Sequence, residues 1–273
     1  MRIMLMTDME GVAGVKDLEN WCETTSRYYP LACELLTEEI NAAVDGFYAG
    51  GAEYVLVADG HGAGGILVER LDFRVEYQRG WYPSWPFGLD NTFDGVAWVG
   101  QHAKASSEYA HIAHTQSFSY IDLFINGVSI GEFGQFAMCG AELGVPAFFG
   151  SGDLAFTKEA EALAPGIVTC AVKRGVMPGT GGELTKDEYS KRNAGAVHTP
   201  PLRARQMIRE SAEKAIRKLK TAPPPLIPLK APFERVAMFR PDNPGEPRTC
   251  SRERHESSVI ALLAMPFNAE PCS

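Results

Sequence analysis

No C-x-x-C pair occurs in this chain. Its six cysteines, Cys22, Cys33, Cys139, Cys170, Cys250 and Cys272, are widely scattered. That spacing excludes an ordinary thiolate zinc site or dithiol redox motif. The even number permits disulfides, but the scatter reads as mostly buried thiols of a cytoplasmic protein. No apolar run reaches membrane-spanning length, so no membrane partner is expected. The first apolar run is too short for a secretory leader and is interrupted by Asp8 and Glu10. A basic excess is also missing: the formal net charge is -8, which argues against nucleic acid as a partner. There is no internal repeat. Gly179-Thr180-Gly181-Gly182-Glu183 lacks the lysine and spacing of a phosphate loop.

What remains is a chain of 273 residues with ordinary globular composition, long enough for one large domain or two modest ones. Arg2-Ile3-Met4-Leu5 reads as a buried strand, and Asp8 and Glu10 follow with Gly11 behind them. Residues two apart in an extended chain point the same way, so both carboxylates can converge just past the strand. Ligands of open α/β sheets bind beyond the carboxyl ends of the strands.

The pattern then repeats. A helical run opens at Pro30, continues through Leu31, Leu35, Ile40, Ala43, Val44 and Phe47, and stops at Gly50-Gly51. A second buried strand, 52–58, ends in Asp59-Gly60-His61, which makes the unit βαβ. A third, 95–100, ends in Gln101-His102, and His111 and His114 follow. Val12 to Thr25 reads as irregular, 64–71 as a short helix, 73–77 as a strand, and the aromatic stretch 81–90 as a packed loop. Asn126-Gly127 signals a type I′ hairpin, whose return strand delivers Glu132 at its end. Helices are expected from there to Leu143 and over 154–163, and strands over 146–150 and 167–173. Beyond Gly175 the signals weaken until an amphipathic helix over 201–220, a rigid Ala222-Pro223-Pro224-Pro225 spacer, a strand over 233–239 and a helix over 257–265.

Asp8, Glu10, His61, His102 and Glu132 are therefore oxygen and imidazole donors placed after strands, with no thiolate among them. Such a set suits Zn²⁺, with Mn²⁺ or Co²⁺ possible. Five donors exceed what a closed structural site needs, which points to two ions; ions roughly 3.5–4 Å apart can activate a water and polarise a carbonyl. His114 is then the spare acid or base.

Thr7-Asp8-Met9-Glu10-Gly11, Asp59-Gly60-His61, Gly100-Gln101-His102-Ala103, Ala113-His114-Thr115 and Gly131-Glu132-Phe133-Gly134 together resemble the D-aminopeptidase DppA family, peptidase family M55. Leu36-Thr37-Glu38-Glu39-Ile40-Asn41 and Ser151-Gly152-Asp153 extend the resemblance, which covers residues 1–175 well and the rest loosely. Thr7, Ala58 and Lys104 depart from the family's usual serine, asparagine and arginine. The resemblance implies a two-zinc aminopeptidase that releases N-terminal D-amino acids from short peptides. It implies Asp8 as the bridging carboxylate, Glu10, His61, His102 and Glu132 as the other ligands, and His114 as the catalytic histidine. It also implies a homodecamer of two stacked pentameric rings.

The expected architecture is α/β, a three-layer sandwich with a mixed, largely parallel sheet, plus a smaller C-terminal α+β part. Residues 1–175 would form the metal-binding catalytic core. Residues 176–273 would serve packing, oligomer contacts or substrate selection. Two rival readings are an M55-like amidase or esterase acting on a non-peptide small molecule, and a non-catalytic metal-binding assembly protein.

Overall fold

The computed structural model describes residues 1–80 and 84–272. In chain order it contains β1 (Arg2–Thr7), α1 (Leu18–Trp21), α2 (Tyr29–Gly50), β2 (Tyr54–Asp59), β3 (Glu76–Gln78), β4 (Gly95–Gln101), β5 (Tyr120–Ile125), β6 (Val128–Ser129), α3 (Glu132–Glu142), β7 (Ala147–Asp153), α4 (Leu154–Leu163), β8 (Val168–Gly175), α5 (Lys186–Arg192), β9 (Ala196–His198), α6 (Pro201–Thr221), β10 (Phe233–Phe239), β11 (Thr249–His255), α7 (Val259–Ala264) and β12 (Glu270–Pro271).

Seven strands form a sheet in the order β3-β2-β1-β4-β7-β8-β9, parallel except for the β8–β9 pair. Alternation along β1 separates two cores. Ile3 and Leu5 join the apolar faces of α2 and α6, whereas Met4 and Met6 join α3, α4, α7 and a second sheet. That second sheet is antiparallel, in the order β12-β11-β10-β5-β6. β10 pairs with β5, so strands from both halves of the chain build it. The parallel βαβ unit and the largely parallel sheet agree with the sequence-based expectation. The hairpin at Asn126-Gly127 has positive φ at both residues, 49° and 79°, as a type I′ turn requires.

Several local expectations are corrected. The 12–25 stretch contains α1, whose N-cap Asp17 accepts from Asn20 N. The expected helix over 64–71 is a single 3₁₀ turn at Val68–Arg70, and the expected strand over 73–77 begins only at Glu76, with Phe73 left exposed. Trp81, Tyr82 and Pro83 of the aromatic loop lie outside the described residues. Glu132 is not at a strand end: it is the first residue of α3, after Gly131 as N-cap. α5 falls where no element was expected; it opens on a full capping box between Thr185 and Glu188. β11 runs from Thr249-Cys250-Ser251 into Arg252-Glu253-Arg254-His255 and gives no apolar run to read. Cys250 and Cys272 form a disulfide between β11 and the segment after β12, so the reading as buried thiols holds for Cys22, Cys33, Cys139 and Cys170.

α6 buries Ala204, Ile208, Ala212, Ala215, Ile216 and Leu219. The stripe lies against α2, where Gly46 permits close approach: a Cβ there would sit 2.3 Å from the Arg209 carbonyl oxygen. The helix thus spends most of its apolar face inside the chain.

Candidate metal centre

Register brings the expected residues to one edge. Thr7 is level with Asp59 on β2 and with Val99 on β4. Asp8, His61 and His102 therefore leave three adjacent parallel strands at the same end of the sheet. α3 starts nearby and contributes Glu132, and the 111–118 segment contributes His114. The donor atoms form two groups, Asp8 with Glu10 and His61, and His102 with His114 and Glu132; within each group they lie within 4.8 Å of one another. Asp8 faces both: its Oδ1 is 3.3 Å from His61 Nδ1 and its Oδ2 is 3.1 Å from His102 Nε2. Glu10 Oε2 is 3.1 Å from His61 Nδ1, and Glu132 Oε1 is 3.5 Å from His102 Nε2.

The outer nitrogen of each ring decides what the inner one can do. His61 Nε2 meets the Cys22 carbonyl at 2.8 Å, His102 Nδ1 the Ala103 carbonyl at 2.8 Å, and His114 Nδ1 the Ile112 carbonyl at 2.9 Å. A carbonyl only accepts, so each of these nitrogens carries the hydrogen. In the neutral ring the opposite nitrogen then presents a bare lone pair to carboxylates. Lone pair against carboxylate is repulsive unless a cation or a proton lies between them. His102 Nε2 is buried and has no hydrogen-bond partner among the described residues, although two carboxylates flank it. An orphaned buried nitrogen among oxygen donors fits a divalent ion of the zinc type.

The electrostatics agree. Burial works against charge on His61, but Glu10 and Asp8 outweigh it and push its pKa up to about 12. Burial likewise opposes charge on His102, and Glu132 and Asp8 drive it well above its ordinary value. Burial raises the Asp8 and Glu132 carboxyls, yet the two are held low, Asp8 by His102 and His61, and Glu132, at about 2, chiefly by His102. This is a cluster of anions built around positive charge.

His114 differs. Its ring stacks on His102 at 3.9 Å between centroids and on Phe118 at 4.7 Å, and its Nε2 is 3.8 Å from Glu132 Oε1. Burial and then His102 lower its pKa, which keeps it neutral. His111 points elsewhere: its ring nitrogen Nε2 lies 2.9 Å from the Lys16 carbonyl and 3.3 Å from that of Ala194, and its backbone N–H donates to Asp153. Sequence reasoning assigned no role to Gln101, whose Nε2 donates to Asp8 Oδ2 at 3.4 Å, or to Gln116, whose backbone N–H donates to Glu132 at 2.6 Å. Nothing in their spacing marks them.

The loop behind Glu10 is stapled by side chains from distant elements. Glu39 accepts from Ala13 N, His198 Nδ1 from Gly14 N, and Lys173 Nζ donates to the Val15 carbonyl. Burial pushes Lys173 down to about 8 and Glu39 up to about 7. At the start of this loop Gly11 touches β4: a Cβ there would lie 2.1 Å from the Gln101 carbonyl oxygen. Gly11→Ala is expected to destabilise the fold by about 1–3 kcal/mol, the usual cost of overpacking. It should also separate Glu10 from His102 and lower metal content. Urea unfolding together with elemental analysis checks both effects.

A cleft of about 650 Å³ opens over the donors, walled by Leu18, Trp85, Phe87 and Phe118, with Glu23 and Lys186 also on its lining.

A family profile described as D-aminopeptidase, Peptidase_M55, matches residues 1–243. A D-aminopeptidase of Bacillus subtilis (strain 168) is 32% identical over 177 residues, and the match spans 64% of this chain and 64% of that relative. The solved structure of the Zn-dependent D-aminopeptidase DppA from Bacillus subtilis, described as a self-compartmentalizing protease, superposes with a TM-score of 0.82. It is 25% identical, and the match covers 97% of this chain and 95% of that one. The likeness of fold thus runs well past residue 175.

Proposed function

The chain belongs to the D-aminopeptidase family, peptidase family M55, and from that membership we propose a zinc-dependent aminopeptidase that releases N-terminal D-amino acids from short peptides. Asp8, Glu10 and His61 would hold one ion. His102 and Glu132 would hold a second, and Asp8, which faces both groups, would serve both. The observation that carries this reading is the pinning of His61 and His102 by backbone carbonyls, which turns the inner nitrogen of each toward carboxylates that need positive charge between them and it. The Zn-dependent structural relative supports zinc as the metal, and Mn²⁺ or Co²⁺ would suit the same donors.

When bound, the ions would polarise the scissile carbonyl and acidify a water. His114, neutral and held by Ile112, would take the proton released from the water and return it to the leaving amine. Gln101 and Gln116 would hold Asp8 and Glu132 in place. Glu23, on the cleft lining and outside the proposed ligand set, would favour a substrate end bearing a free ammonium group. The apolar wall would exclude water from the other side of the substrate.

The protein is further read as a homo-oligomer, a decamer of two pentameric rings enclosing the clefts, in keeping with the self-compartmentalizing relative. Residues 176–273 would supply packing, subunit contacts or substrate selection; Lys186 on the cleft lining supports the last. A cytoplasmic setting suits the four buried free thiols, and among the described residues no helix is long and apolar enough to cross a membrane.

One preparation tests the reading. Metal-restored protein should hold two zinc ions per chain, behave as a ring-sized particle by light scattering, and cleave D-Ala-D-Ala far faster than L-Ala-L-Ala. Preference for small non-peptide amides, or two ions with no hydrolysis, would move the assignment to one of its rivals.

A further inference from the structure

The two proposed donors that share an ion, His102 and Glu132, arrive on segments distant in sequence. Those segments touch beside the site: a Cβ on Gly131 would lie 2.7 Å from Lys104 Cβ and 3.0 Å from Lys104 Cα. One side chain spans this junction. Glu159, on α4, accepts from the backbone N–H of Lys104 at 2.9 Å through Oε2 and from that of Gly131 at 3.2 Å through Oε1. Both oxygens are used, and each holds a peptide one residue removed from a donor.

The Lys104 contact reaches His102 directly. The N–H of Lys104 and the carbonyl of Ala103 belong to one peptide plane, and that carbonyl accepts the His102 Nδ1 hydrogen at 2.8 Å. Carboxylate, peptide and imidazole thus form one chain, which fixes the peptide's tilt, the ring's tautomer and the direction of Nε2. The Gly131 contact sets the first turn of α3, where Glu132 stands. The Lys104 Nζ lies 3.9 Å from Asp122.

We infer that Glu159 is the positioning residue for the His102–Glu132 half of the centre and controls how tightly that half holds its ion. The inference rests on the two-ion reading above. Glu159→Gln keeps the shape but offers one acceptor where two N–H groups need one each, so one of the two peptides is released.

The test is chelator competition on the metal-restored enzyme, with ions retained per chain counted by elemental analysis. Glu159→Gln should release one ion about 10–100-fold more readily, the usual cost of losing a partner behind a ligand, and hold the other as the parent does. Added to Glu10→Ala, which weakens the opposite half, it should leave no tightly held ion. Glu161→Gln, on the same helix and bonded to Thr169, should match the parent. If the glutamine variant fails to fold, Glu159→Asp, which keeps the charge and loses reach, should show the same one-ion release. A two-ion parent with an unchanged variant, or with both ions weakened equally, overturns the inference alone. A parent that never holds two ions overturns the metal reading, and this inference with it.

Discussion

Asp8→Ala is expected to lose both metal ions and reduce turnover to background. Among the described residues no other carboxylate faces both donor groups so closely: one oxygen is 3.3 Å from His61 Nδ1 and the other 3.1 Å from His102 Nε2. The loss of turnover should be at least about 10²–10³-fold, the scale of removing a single electrostatic stabiliser, because two ions depend on this one side chain. Asp8→Asn makes the test sharper. Its amide oxygen can still serve one half of the centre, but its nitrogen has no lone pair for the other. That variant should therefore retain close to one ion per chain. Elemental analysis and kcat, measured on the same samples, separate the cases. An alanine variant that keeps two ions and its activity would show that Asp8 does not bridge the halves.

His114→Ala should keep both ions and the fold and lose about 10²–10⁴-fold in kcat, the usual cost of removing a general acid or base. The ring is placed for that work. Its outer nitrogen is held by Ile112, Phe118 and His102 sandwich it, and its inner nitrogen faces the cleft with burial keeping it neutral. Its Nε2 also lies 3.8 Å from Glu132, near enough that ligation is the competing role. Loss of an ion in His114→Ala would assign that role instead, and full kcat would remove the histidine from the mechanism. His111→Ala is the contrasting variant. Its ring is fully buried and bonds to the carbonyls of Lys16 and Ala194. Its removal strands those groups at a cost of about 1–3 kcal/mol, so it should lower stability more than it lowers kcat.

The two histidines show where sequence reading stops. They lie three residues apart in one irregular segment, and only the family motif around His114 distinguished them. In the fold, positive φ at Ile112 turns the chain between them, so that one ring faces the donors and the other the 13–16 loop. A chain reversal of this kind leaves no periodic trace, because it depends on what the loop packs against. The roles of Glu159 and Gln101 were invisible for the same reason. Each is an ordinary polar residue whose role comes from a backbone group or carboxylate brought to it from far along the chain.

The sequence by itself determined the parallel strands, the βαβ unit and the residues that follow each strand, since strands buried on both faces demand apolar runs, and such runs end abruptly in the acids, glycines and histidines of a sheet edge. It also marked α2, α3, α4 and α6 through their periodicity. Only the tertiary structure decided that β10 pairs with β5 across the two halves of the chain, that α6 spends its stripe on α2, and that Cys250 meets Cys272. These are long-range choices among many compatible partners. Only the tertiary structure, too, set strand register, and with it the level at which Asp8, His61 and His102 emerge together. Register is a collective property of the packed sheet: sliding a strand by one residue sends its side chains to the opposite face, and no single strand's sequence contains that comparison.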